Sequence, residues 1–435
     1  MRREPFGALS LPSAGQLTYL TMNDNSLKMP LAGWLLVLLL LAGAGPAWAQ
    51  RVVVGLDSAE RRALRLHPRL RQSQQEIAEQ QALRRGSFSL RNPDFLFSAP
   101  TGERWAPGVV QTIDFPTVYQ RQARAATAGI ALAERGLDVN RAIVRRDVRG
   151  AYLGLQFAEV QVRQLTYQDS LFRALQRATE RLFAAGEVTA LQRVSTDAEA
   201  QQVRNQLEQS TVDLGAAQRR LGLLLGQPTA NLSAGTDLRQ TGPELARTGG
   251  ALLAGLPAED SAAVALSPTL AYAAQNVELS QSGISLVRAR RTPALTVGYQ
   301  NQGFAESPHR YWMQFGVSVP LYLWTYRSQL QAATARAGAA RAQAQVQRLE
   351  LGTQYQQRLA DTRKFASSLA YYEQTGVPQS RAIISQSQRL FGAGEVSYLV
   401  LIQSLNQAFT IQNAYLTTIR DYRQALIELN YLRGQ

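Results

Sequence analysis

The chain has 435 residues, 45% of them hydrophobic, no cysteine and only two histidines, His67 and His309. That inventory excludes a disulfide framework, a thiolate nucleophile and any Cys- or His-rich metal site. The net charge of +14 points first to nucleic acid or an anionic surface, yet all but two of the 46 basic residues are arginines scattered without a dense block.

The N-terminus reads as an address. Leu31–Ala44 is almost wholly apolar, preceded by Lys28 and followed by Pro46-Ala47-Trp48-Ala49-Gln50. A spanning helix takes roughly 20 apolar residues, so this shorter run with an Ala-x-Ala site predicts a secretory signal peptide within residues 1–49, cut after Ala49. Met22 and Met29 are alternative starts to Met1. No cysteine follows the cut, so a lipid anchor there is not expected. Removing three basic and two acidic residues leaves +13 on the exported chain. Export argues against a nucleic-acid partner.

The exported chain is written twice. Arg181-Leu182-Phe183-Ala184-Ala185-Gly186-Glu187-Val188 returns 208 positions later as Arg389-Leu390-Phe391-Gly392-Ala393-Gly394-Glu395-Val396. The same offset carries Leu191 onto Leu399, Asn205 onto Asn413, and Gly226-Gln227 onto Gly434-Gln435. Units this long are not solenoid repeats. They predict a duplicated half-molecule, with a first copy at 50–227, an irregular connector rich in Gly, Pro and Ala at 228–265, and a second copy at 266–435.

Each copy has one order of elements. In the first, Leu64–Arg85 is a short helical pattern, followed by strands at about 92–99 and 108–115. After Pro116 helix is expected for about 70 residues to a turn at Gly186, on the order of 100 Å. Ile130, Leu137, Val144, Ala151, Ala158, Leu165 and Phe172 recur every seven residues, with Ala133, Val148, Leu155 and Val162 as partner row, which is a coiled-coil seam. A second helix is expected from Val188 to about Leu225. In the second copy, 294–301 and 311–319 read as strands. In the latter Tyr311, Met313, Phe315, Val317 and Val319 share one face, opposite Trp312, Gln314, Gly316 and Ser318. Helix is then expected from Leu321 to Phe391 and from Gly394 to Leu432. The fold class is mainly α with a small β part. Four strands do not close a barrel, for which about eight is the minimum. The hairpins therefore either join those of other copies in a membrane or cap a soluble helical bundle.

The chain resembles the TolC family of outer-membrane efflux ducts over its exported length. The resemblance rests on the Leu-Phe-x-x-Gly-Glu-Val turn at 182–188 and 390–396, and on the strand exit Gln111-Thr112-Ile113-Asp114-Phe115-Pro116-Thr117-Val118-Tyr119. The latter is most similar to the CzcC/CusC-type branch that serves heavy-metal efflux. The resemblance implies a homotrimer with a twelve-stranded outer-membrane barrel, and a tunnel of helices crossing the periplasm. It implies as partners a periplasmic adaptor, an inner-membrane RND-type pump and outer-membrane lipid. Multidrug efflux and type I protein secretion are the other cargo classes open to such a duct. Gly186 and Gly394 become turns at the periplasmic tip, beside which Phe183, Val188, Phe391 and Val396 are expected as exposed contacts for the adaptor. Plain helix capping is the alternative reading of the two glycines. Multidrug relatives hold two Asp residues in a pore-closing ring. The matching positions here are Val400 and Gln403, with Gln192 and Ser195 in the first copy, so the resemblance leaves an apolar constriction at Leu399 or Val400. Pro378 falls inside the long second-copy helix and predicts a kink. No Ser/His/Asp set, metal-ligand spacing or phosphate-binding glycine loop stands out, so no enzyme, cofactor or metal site is expected. His67, His309 and Met313 lie in separate segments.

Overall fold

The computed structural model describes residues 52–98, 106–227, 231–255, 263–301, 311–321 and 323–435. The expected signal segment lies outside them, as does His309.

The first copy opens with strand β1 (Val52–Val54), helix α1 (Leu56–Leu66) and helix α2 (Pro68–Arg85). The single helical pattern expected over 64–85 is thus two helices. Pro68 lacks an N–H and holds His67 extended (φ −65°, ψ 128°), which ends α1 and starts α2. His67 then caps α2, its Nδ1 accepting from the Arg69 amide at 3.2 Å. Strands β2 (Asp94–Ser98) and β3 (Ala106–Ile113) follow. Helix α3 (Pro116–Ala184) runs 69 residues, about 100 Å, and α4 (Ala190–Leu224) returns. Along the α3 seam Leu137, Val144, Ala151, Ala158, Leu165 and Phe172 are all buried, as are Val148 and Leu155 of the partner row.

The stretch 228–265 is not irregular throughout. It contains β4 (Leu232–Ala234), paired in parallel with β1, and helix α5 (Leu238–Ala254). Gly242, Pro243 and Gly249 give this helix poor propensity. Tertiary burial overrides it: Leu238 is fully buried, and Leu245 and Ala246 pack against Leu153, Val160, Leu369, Leu416 and Ile419.

The second copy holds α6 (Pro268–Ala289), β5 (Ala294–Asn301), β6 (Tyr311–Ser318), α7 (Leu323–Tyr371), α8 (Val377–Gly392) and α9 (Tyr398–Leu432). The helix expected as one piece from 321 to 391 is interrupted by a π-helical turn, Tyr372–Gly376. Val377 N–H there reaches back five residues to the Tyr372 carbonyl. The wider turn carries the chain into Pro378, which has no N–H to give and whose ring crowds the carbonyl four residues earlier. The first copy has Ser170 at the matching place and runs on as unbroken α-helix.

Three polar side chains tie β4 and α5 to the long helices. Gln156 donates to Thr236 Oγ1 (2.6 Å) and accepts from Arg423 (3.0 Å). Gln164 accepts from Arg239 (2.5 Å) and donates to Asn413 (2.6 Å). Glu159 accepts from Ser233 Oγ at 2.7 Å. Buried polar groups joined this way fix one docking of the connector rather than a family of them.

Candidate functional site

Two features outside the helical core bear on function: a sheet with bare faces, and the paired turns at the far end of the helices.

The sheet is antiparallel in the order β2-β3-β5-β6, so among the described residues β2 and β6 are its unpaired edges. Its register sorts the side chains into two surfaces. Phe95 opposes Val109, Val109 opposes Tyr299 and Tyr299 opposes Met313. The next rows add Val297 with Phe315 and Leu295 with Val317. All of these fall on one face. The reverse face carries Gly108, Thr112, Thr296, Gly298, Gln300, Gln314, Gly316 and Ser318. On the apolar face Phe95, Phe97 and Phe315 are each about 70% exposed. None of the four buried apolar clusters among the described residues contains a side chain of this sheet. The sheet therefore does not cap the bundle by packing on it. Aromatic and branched apolar side chains dominate one face, while glycine, hydroxyl and amide groups dominate the other, where Asp94, Leu96, Val110 and Trp312 also fall. That bias suits hydrocarbon on one side and water on the other. Glycine on the polar face helps the sheet curve: a Cβ at Gly298 would sit 3.1 Å from Val110, and one at Gly108 3.1 Å from the Tyr299 carbonyl.

At the other end, the two copies turn alike. Gly186 (φ 78°) and Gly394 (φ 76°) take the left-handed conformation that side chains resist. Glu187 N–H bonds the Leu182 carbonyl and Glu395 N–H that of Leu390, both at 2.9 Å, closing Schellman caps. Gly226 and Gly434 end the return helices in the same way, again 208 positions apart. Thr189 and Ser397 then cap α4 and α9, so each reversal takes only a handful of residues. A double substitution, Gly186→Ala with Gly394→Ala, should cost about 1 kcal/mol per site. Thermal unfolding of the pair against each single variant measures it, and equal melting points for all would contradict the strained-turn account.

Phe183, Val188, Phe391 and Val396, expected as exposed, are all half-buried. The Arg193 guanidinium lies 4.5 Å over the Phe183 ring, and Phe391 meets Tyr398 edge-on at 6.2 Å. The bare apolar surface lies one turn further along: Leu399 and Val400 on α9, and Leu191 and Val194 on α4, are each 45–75% exposed. Gln403 is exposed on the same side of α9 as Leu399 and Val400. Leu191 and Val194 were legible as the duplicates of Leu399 and Ile402; the missing step was that helix reversal buries the turn residues and leaves the following turn open. Ile402 itself is buried.

Among the described residues no three His, Asp or Glu are arranged to hold a metal ion. Met313 lies on the apolar sheet face and His67 serves as a helix cap. Among them, too, no helix is long and apolar enough to cross a membrane, a statement about helices that does not bear on the sheet.

The sequence model of the family described as outer membrane efflux protein matches residues 261–435, essentially the second copy. No curated protein sequence matches the chain. Solved membrane proteins share the fold. A membrane protein of Pseudomonas aeruginosa superposes with a TM-score of 0.73 at 17% identity, covering 87% of this chain and 92% of that one. The CusC transmembrane channel gives 0.72 at 14% identity over 90% and 95%. The MtrE outer membrane channel of Neisseria gonorrhoeae, in its open state, gives 0.70 at 14% identity over 87% and 88%. The described architecture has the fold of these solved membrane proteins.

Proposed function

We propose that this chain is the exit duct of a tripartite efflux system, seated in the outer membrane and reaching through the periplasm. Three copies would contribute four strands each to a closed barrel and their long helices to one tunnel. The observation that carries this is the four-stranded sheet: among the described residues its apolar face is exposed and both its edges are unpaired. Long open edges and bare phenylalanines are a hazard in water. Both disappear when the sheet closes with other copies inside hydrocarbon. The duct conducts passively and catalyses nothing.

The tip turns at Gly186 and Gly394, with Phe183, Val188, Phe391 and Val396, form the end that meets a periplasmic adaptor, which links the duct to an inner-membrane pump of the RND type. The uncovered Leu399 and Val400, beside Gln403, form an apolar constriction between protomers that closes the pore by excluding water. Pro378 and the π-turn before it mark where the second coiled coil bends. Heavy-metal cations are the proposed cargo, on the similarity of the Gln111–Tyr119 strand exit to the CzcC/CusC-type branch. Deletion of the gene followed by growth on copper, zinc, cobalt and silver and on a drug panel tests the cargo. Metal sensitivity is expected; sensitivity to drugs alone would overturn it and leave a multidrug duct.

A further inference from the structure

Arginine concentrates where the four strands meet the helices. The register pairs Ile113 with Leu295 and Leu295 with Val317, so the ends of β3, β5 and β6 lie in one row. Helix α3 leaves from Pro116 and α7 from Leu323, while α2 arrives at Arg85 and α6 at Ala289. Within about eight residues of these helix ends, and on the segments that join them to the strands, the sequence places nine arginines against three carboxylates, Glu79, Asp94 and Asp114.

Arg85, Arg288, Arg290 and Arg291 are exposed at the C-terminal ends of α2 and α6, where a cation complements the helix dipole. That explanation fails for the others. Arg121, Arg124 and Arg327 are exposed near the N-terminal ends of α3 and α7, where the dipole is already positive. Neither helix has an acidic residue in its first turn. Of this group only Arg91 has a carboxylate partner among the described residues, Asp114 at 3.1 Å. Uncovered apolar side chains stand at the same level: Phe88, Leu90, Leu321 and Trp324 are all more than half exposed. An apolar band bordered by exposed aromatic and leucine side chains mixed with arginines that mostly lack a carboxylate partner matches the chemistry of a bilayer at its headgroups.

We propose that this arginine collar binds the phosphates of anionic phospholipids in the periplasmic leaflet of the outer membrane. The inference rests on the membrane-duct reading above and adds the lipid class and the leaflet. It also gives the scattered positive charge a local role, because the dipoles of α3 and α7 and the arginines behind them all seek the same anion.

The test uses the full chain purified in a neutral detergent. The probes are a fluorescent phosphatidylglycerol, its phosphatidylcholine analogue and lipopolysaccharide, with energy transfer from tryptophan as the readout. The wild type should prefer phosphatidylglycerol over phosphatidylcholine by about fivefold or more at low salt, with the preference collapsing toward parity at about 0.5 M salt. A variant with Arg121→Gln, Arg124→Gln, Arg290→Gln, Arg291→Gln and Arg327→Gln should lose the preference. The same five positions changed to lysine should keep most of it, which separates charge from folding. Equal retention of both phospholipids by the wild type, or an unchanged preference in the glutamine variant, overturns the collar. So does a stronger preference for lipopolysaccharide that the glutamine changes abolish, because that places the arginines in the outer leaflet. Recovery of the wild type from cells without detergent would instead overturn the membrane reading itself.

Discussion

Val297→Arg is expected to abolish accumulation in the outer membrane, while Gln314→Arg leaves accumulation near the wild-type level and changes conductance. Val297 lies mid-strand in β5, flanked by Gln111 and Phe315 in the row that continues the apolar face. Placing arginine on the lipid side near the bilayer centre costs about 2–4 kcal/mol. Three copies would each carry that cost, so a trimeric barrel would be penalised threefold. Gln314 pairs with Gly298 across the same two strands but on the opposite face, where a charge would meet water. Fractionation of outer membranes followed by single-channel recording reads both. If both variants accumulate equally, the sheet has no lipid side and the barrel account fails.

The asymmetry between these two substitutions was readable in the sequence for β6, whose alternation from Tyr311 to Val319 is regular. It was less so for the first hairpin. Gln111 interrupts the apolar row of β3, and Pro107 sits where a strand donor would be; only pairing with β5 fixes which side each residue takes. The heptad seam of α3 was legible from Leu137 to Phe172, where burial every seven residues is a property of the helix itself; Ile130, Ala133 and Val162 of the expected rows are only half-buried. The same holds for the duplicated turns, where Gly186, Gly226, Gly394 and Gly434 all keep positive φ at the 208-residue offset. What the sequence hid was set by contacts between distant segments. Gly and Pro in 238–254 predicted no helix, yet docking against the long helices supplies one. Pro378 announced a disturbance but not its form, since a π-turn and a simple kink relieve the same crowding. The tip phenylalanines read as exposed because their coverings, Arg193 and Tyr398, come from the far side of each reversal.

The connector helix approaches the π-turn most closely through Gly242, and Gly242→Ala is expected to loosen both. A Cβ on Gly242 would collide with the Tyr415 hydroxyl, lie 2.7 Å from Glu373 Oε1 and 3.1 Å from Ile419 Cδ1. Glu373 belongs to the π-turn, and the Tyr415 hydroxyl donates to its carboxylate. Burial, first, and this hydrogen bond to Glu373 hold the tyrosine pKa well above its ordinary value, so the proton stays on Tyr415 throughout the neutral range. Tyr372 adds an aromatic contact to Tyr415 at 6.4 Å. One methyl group therefore has to displace α5, or break a hydrogen bond whose carboxylate then lacks that donor. Overpacking of this kind costs about 1–3 kcal/mol, and loss of a charge-assisted bond adds about 1.5–3. A double-mutant cycle with Tyr415→Phe isolates the contact, because removing the hydroxyl removes the nearest obstacle. Gly242→Ala should lower the unfolding free energy by about 2 kcal/mol or more in the wild-type background and by distinctly less beside Tyr415→Phe. Equal costs in both backgrounds would mean that the methyl is accommodated elsewhere, and that the glycine does not set how closely the connector grips the bend in the second coiled coil.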